Sequence, residues 1–228
     1  MANDNGKIAL WSVLTLALGA IGFKLVWGKK QQAEQAQLEK GSAMAEFDMD
    51  GVTINVPSGS GGSNPPSYDR LSGSQLPDRP GPNFSWAEFE RSATAESADP
   101  PIDNTLTLGQ KRNILWGVEY VLQPIRDAIG LSVGITGGAR SAALNDAIGG
   151  ANNSQHVRGQ AVDIKVTGYQ AKALFNLILT LGLPFDQLIW YDQNVGGHVH
   201  ISWNPNGQPR RQRLHATRGQ NKTEYMAA

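Results

Sequence analysis

The sequence predicts an α+β fold: a small, mainly antiparallel sheet with flanking helices, preceded by one transmembrane helix and a flexible linker. Three observations lead there. In the second half of the chain, apolar residues recur at three- and four-residue spacing in some segments and alternate in others, so helices and strands share one domain. Residues 8–27 are apolar on every face, with Lys24 as their only charge. Residues 57–82 are dominated by Gly, Ser and Pro, a composition that cannot bury a core.

The apolar segment comes first. At about 1.5 Å per residue, some 20 residues cross the roughly 30 Å hydrocarbon core. Lys24 lies near enough to one end to snorkel, and Trp11 and Trp27 sit where interfacial aromatics do. A cleaved signal peptide is the rival reading, but its apolar region is normally shorter and ends in a small-x-small site, whereas this one runs into Lys29 and Lys30. Residues 1–30 are therefore read as a single-pass membrane anchor. Lys24, Lys29 and Lys30 lie at or beyond the far end of the span and only Lys7 precedes it, so the positive-inside rule would leave the remainder cytoplasmic. Residues 31–47, rich in Gln, Ala, Glu and Lys, predict a short polar helix, and residues 51–56 a brief β run. With the tether to residue 82 these make a connecting region, 31–82, ahead of a folded domain at 83–228.

Within that domain, Ser85-Trp86-Ala87-Glu88 is a capping box, with Phe84 and Phe89 as its apolar staple. A longer helix is predicted over 108–129, with Leu115, Val118, Leu122, Ile125 and Ile129 on one face; Pro124 must kink or split it. A strand follows over 131–136, a short helix over 142–148 stopped by Gly149-Gly150, and a strand over 160–166. A helix over 169–181 ends at Gly182. Residues 186–191 and 198–203 pair as strands across 194–197. The basic run Pro209-Arg210-Arg211-Gln212-Arg213, with Arg218, reads as a solvated tail or edge strand, or else as a surface for anionic polymers.

Composition narrows the chemistry. Twenty basic residues balance twenty acidic ones, so no global field draws the chain to nucleic acid. There is no cysteine, which leaves His, Asp and Glu as the strong metal ligands. Three of the four histidines fall in two short segments: His156, seven residues before Asp163, and the pair His198 and His200. Asp163 shares a strand face with Ala161 and Lys165, and an acid there is costly to bury unless a cation neutralises it. His198 and His200, two apart, project to one face. One His, one Asp and a distant His-x-His supply three ligands for a zinc ion, leaving a fourth position for water, as in catalytic rather than structural sites.

These residues carry a resemblance. Ser154-x-His156-x-x-Gly159-x-Ala161-x-Asp163, followed by Val199-His200-Ile201-Ser202, resembles the zinc D-Ala-D-Ala carboxypeptidase family of peptidoglycan peptidases, which includes phage endolysins and shares its fold with the hedgehog signalling domain. The segments at 84–95, 122–126, 138–145, 149–154 and 185–189 follow that family's usual order, so the resemblance spans residue 83 to about residue 214. It implies zinc held by His156, Asp163 and His200, with Arg140 facing the substrate carboxylate or scissile carbonyl and Ser154 orienting substrate. It further implies hydrolysis of stem or cross-bridge peptides by a metal-activated water. Members commonly carry a Glu or Asp shortly before the final His, but here Val195, Gly196 and Gly197 precede His198. Asp192 is the favoured general base and His198 the other candidate, otherwise a transition-state or substrate contact. The expectation is a membrane-anchored wall peptidase of a bacterial envelope or a phage virion, with peptidoglycan peptides and the membrane as partners and nucleic acid excluded. The lysine bias opposes this, because a wall-degrading enzyme needs the other side of the membrane unless it assembles inside the cell and acts later, as in a virion. The rival expectation is a catalytically degenerate zinc-binding protein that binds wall or builds a virion.

Overall fold

A computed structural model describes the backbone of residues 44–49 and 52–57 and the chain from 68 to 228, residue 221 excepted. The predicted membrane span and most of the predicted polar helix lie outside these residues. Among the described residues no helix is long and apolar enough to cross a membrane.

The chain divides into two compact units, Met1–Ser63 and Asn64–Ala228. In the first, β1 (Met44–Met49) pairs antiparallel with β2 (Val52–Pro57), Met49 opposite Val52. The strands flank Asp50-Gly51, a strong two-residue hairpin signal. The expected β run is present. The expected helix over 31–47 is overturned at its end, because residues 44–47 are the strand that β2 pairs with.

The second unit begins upstream of the expected boundary at residue 83. Residues 68–82, read as tether, carry two 3-10 turns, Tyr68–Arg70 and Gly73–Gln75. They are fastened to the helix that follows: Arg112 donates through Nε to the Leu71 carbonyl at 2.8 Å, and the Tyr68 hydroxyl donates to Glu119. Trp86 Nε1 donates to the Pro77 carbonyl at 3.1 Å. Short helices α1 (Trp86–Glu90) and α2 (Ala93–Ser97) follow. The capping box forms as expected, with Glu88 accepting from the Ser85 N–H at 2.6 Å and the staple residues Phe84 and Phe89 both buried.

Pro124 splits the long helix. α3 (Leu108–Gly117) passes through a π turn (Val118–Leu122) into α4 (Gln123–Ile129). Proline has no N–H to continue the ladder, and the wider turn just upstream absorbs the mismatch. Of the predicted apolar face, Leu115, Val118, Leu122 and Ile125 are buried. The remaining elements are β3 (Val133–Gly137), α5 (Ala142–Ala147), β4 (Ala161–Val166), α6 (Ala171–Thr180), β5 (Phe185–Tyr191), β6 (Val199–Trp203), β7 (Gln212–Arg218) and β8 (Thr223–Ala227).

Six strands form one sheet in the order β3-β4-β6-β5-β7-β8, antiparallel except for the β5–β7 pair. The basic run thus leads into β7, which holds Arg213 and Arg218, and is neither a solvated tail nor an edge strand, because β7 lies between β5 and β8. Val162 and Ile164 of β4, Val199, Ile201 and Trp203 of β6 and Leu188 of β5 are all fully buried on one face. Helix α3 packs there through Asn113, whose carbonyl accepts from Trp203 Nε1 at 2.9 Å. Each such aliphatic side chain contributes about 1.5–3 kcal/mol by leaving water. A one-residue slip of either central strand would lose several of these contributions together, so the register is fixed. That register decides what faces the other way.

Candidate metal centre

Asp163 stands directly opposite His200 in the β4–β6 pair, and both point to the face away from the helices. Asp163 Oδ1 lies 2.9 Å from His200 Nδ1. His156 arrives from outside the sheet. It opens a 3-10 turn, His156–Arg158, closed by Gly159 in the left-handed conformation (φ 66°). A Cβ at Gly159 would also meet the Gln110 carbonyl at 2.8 Å, so that turn needs glycine on two counts. The His156 ring reaches the pair with Nε2 3.2 Å from His200 Nδ1 and 3.6 Å from Asp163 Oδ1.

These distances test whether a metal fits. Ligand atoms about 2.0–2.1 Å from a tetrahedral zinc stand roughly 3.3 Å from one another. The observed 2.9, 3.2 and 3.6 Å bracket that value. The tautomer fits as well: His156 Nδ1–H donates to the Gly138 carbonyl at 2.7 Å, which leaves the Nε2 lone pair facing the cluster. Burial lowers the His200 pKa against the opposing pull of Asp163, so this imidazole is neutral, the form a metal takes. With no metal bound, burial alone would raise the Asp163 pKa, but the charge and N–H donors that His156 and His200 present when protonated outweigh it and hold the carboxyl well below the usual carboxylate range. Among the described residues His156, Asp163 and His200 are the cluster able to hold a metal ion.

The surroundings are shaped for this group. A bulge in the β3–β4 pair brings Gly137 opposite Asp163, and a Cβ there would lie 2.5 Å from Asp163 Oδ2. Arg140 follows, its Nη2 3.7 Å from that same oxygen. Its loop is pinned to the His156 turn: the Arg140 N–H donates to the His156 carbonyl at 3.1 Å. Gln110 Nε2 donates to the carbonyls of Arg140 and Val157, both at 3.0 Å. Asn104 Nδ2 donates to the carbonyls of Glu90 and Ala139, while its Oδ1 accepts from the Ser141 N–H.

His198 also faces the cluster, its Nε2 3.9 Å from Asp163 Oδ1. Gly196, at φ 120°, swings the chain into β6, and a Cβ there would lie 2.7 Å from His198 Nδ1. Partial burial lowers the His198 pKa despite the nearby Asp163 carboxylate.

Asp192 is not brought to the cluster. Its Oδ1 accepts from His215 Nε2 at 2.8 Å, and the His215 ring is stacked on Trp190. Trp190 alternates with Tyr191, whose ring lies against His198, so the Asp192–His215 pair belongs to the opposite face. The expectation that Asp192 reaches back across the hairpin fails for that reason. Ser154 contributes its backbone to the turn before His156, accepting from the Val157 N–H at 3.2 Å. Sequence reasoning missed Gln110, Asn104, Gly137 and Tyr191. Of these only Gln110 left a signal, as the last residue of a Thr107-x-x-Gln110 capping box, and that signal spoke of a helix start alone.

No curated protein matches the chain. The family model for peptidase M15 matches residues 82–202, more than half of the chain, and includes Arg140, His198 and all three clustered residues. On that match and that cluster, the chain belongs to the peptidase M15 family, a family of metal-dependent peptidases.

Proposed function

We propose that this protein is a zinc peptidase that hydrolyses the stem or cross-bridge peptides of bacterial peptidoglycan. The observation that carries the reading is the His156–Asp163–His200 cluster at ligand spacing, flanked by Arg140 and His198, whose side chains each keep 19% exposure. Two imidazoles and one carboxylate are ligands that catalytic zinc takes, and that other transition metals accept too, so the choice of zinc rests on the peptidase M15 match. Bound zinc supplies Lewis acidity, polarising a carbonyl and acidifying water towards neutrality. The chain's own residues do the rest. Arg140 offers a guanidinium to the oxygen on which charge develops, or to a substrate carboxylate. His198, neutral and facing the cluster, takes the proton of the attacking water and passes it to the leaving amine. The face-away geometry of Asp192 supports His198 in that role over Asp192. Ser154 remains a proposed substrate contact beside His156.

Residues 8–27 support a further proposal, that the catalytic unit is tethered to a membrane of a bacterial envelope or phage virion. Alkaline carbonate extraction tests it, since release of the full chain into the soluble fraction would remove the anchor. A second reading, a wall-binding protein that does not cut, is favoured by Val195-Gly196-Gly197 standing where such enzymes commonly place an acid. Incubation with purified peptidoglycan separates the two readings. The enzyme should release peptides identifiable by mass spectrometry, lose that activity to a chelator and regain it with zinc. Stoichiometric zinc with no released peptide would establish the non-cutting protein instead.

A further inference from the structure

The β7–β8 hairpin lies beyond the residues matched by the family, yet it reaches the metal face. Tyr191 of β5, Ala216 of β7 and Tyr225 of β8 stand level across three strands, Ala216 opposite both tyrosines. The Tyr191 ring is stacked on His198, with centroids 4.1 Å apart and planes inclined by 17°. The Tyr191 N–H donates to the His198 carbonyl at 2.9 Å, so the two residues are held through backbone and ring together. Tyr225 meets Tyr191 edge-on, with centroids at 6.1 Å, and the two hydroxyls are 3.2 Å apart. Burial pushes the Tyr191 phenol well above its ordinary value, so the hydroxyl stays protonated and able to take part in that contact.

We infer that Tyr191 is a positioning residue for His198, and that Tyr225 of the C-terminal hairpin holds Tyr191 in place. An imidazole beside a metal cluster can rotate about its side-chain bonds, and only some orientations aim Nε2 at the reacting centre. The Tyr191 ring closes one side of that rotation. Tyr225, from the edge strand, closes the corresponding freedom of Tyr191. The hairpin is therefore part of the catalytic apparatus without supplying a group to the reaction. This inference rests on the peptidase reading for its kinetic consequence, though not for the geometry.

Two measurements test it on the full zinc-loaded chain. In muropeptide hydrolysis, Tyr191→Ala should lower kcat by about tenfold to a hundredfold while KM stays within about twofold, the signature of lost positioning rather than lost binding. Tyr191→Phe, which keeps the stack, should recover most of that loss. Tyr225 is 52% exposed on the edge strand, so Tyr225→Ala spares the core and should lower kcat in the same direction if Tyr191→Ala does not fold. Full kcat in the alanine variants, or an effect confined to KM, overturns the inference. The second measurement is the proton resonances of the His198 ring, which the Tyr191 ring current displaces upfield. They should move downfield in Tyr191→Ala, and resonances that stay put overturn the inference whether or not peptide is cut. If the wild-type chain cleaves no muropeptide while those resonances respond, the peptidase reading falls and the positioning stands.

Discussion

A Cβ at Gly137 would lie 2.5 Å from Asp163 Oδ2, so alanine there must displace the carboxylate it faces. Gly137→Ala should therefore weaken zinc by tenfold or more, about 1.4 kcal/mol, in competition with a chromogenic chelator. The neighbouring histidines separate by role. His156→Ala should lose zinc and hydrolysis together. His198→Ala should keep stoichiometric zinc and lose about 10²–10⁴ in kcat. Asp192→Ala, on the far face, should stay within a few-fold of wild type, and a loss matching that of His198→Ala would restore it as the base. The metal cluster was legible in the sequence because strand alternation places Asp163 and the His-x-His side chains without ambiguity, and Gly159 marks the turn that returns His156. The placement of Asp192 was not legible. Asp192 follows Tyr191 immediately, and which side a residue takes at a strand end depends on its partner, here His215 from a strand the sequence had left as either tail or edge.

Among the elements, α3 bears most directly on the site through one side chain. Buried Gln110 donates to the carbonyls of Arg140 and Val157, joining the loop that carries the guanidinium to the turn that carries His156. Gln110→Ala strips both carbonyls of their partner and should cost about 1–3 kcal/mol in urea unfolding, with weaker zinc binding alongside. A variant that unfolds as the wild type does would show that water replaces the amide. Element positions in the catalytic unit follow the hydrophobic period closely, including the break at Pro124. The misses lie where local composition and tertiary context disagree. Met44, Ala45, Glu46 and Phe47 have a helical flavour by propensity, yet pairing with β2 makes them a strand. Residues 68–82 have a linker's composition, but Arg112 and Trp86 supply the hydrogen bonds that hold them down.

At the scale of the molecule, the C-terminal strands are joined to the site from below as well as above. Arg210 donates to buried Asp186 through its backbone N–H and Nε, both at 2.8 Å, and to Gln155, which neighbours His156, at 3.1 Å. Burial alone would raise the Asp186 pKa, but Arg210 outweighs it and holds the carboxyl below its ordinary value. The folded state therefore binds this proton less readily than the unfolded chain, whose aspartates titrate near about 3.9. The contribution is complete above that value and is lost as pH falls through it towards the folded pKa. Asp186→Asn should be less stable than wild type at neutral pH, and urea midpoints for the two should converge on acidification; parallel curves would discount the pair. The face-to-face placement of Asp163 and His200 has a consequence for motion. An ion held by both is a cross-strand rivet, and its binding free energy is forfeited by any opening that parts β4 from β6. Amide hydrogens of Val162 and Ile201 should exchange with deuterium more slowly once zinc is added, while those of β8 keep their rate. The same ion that would polarise a substrate would thus also set how rarely the middle of the sheet breathes.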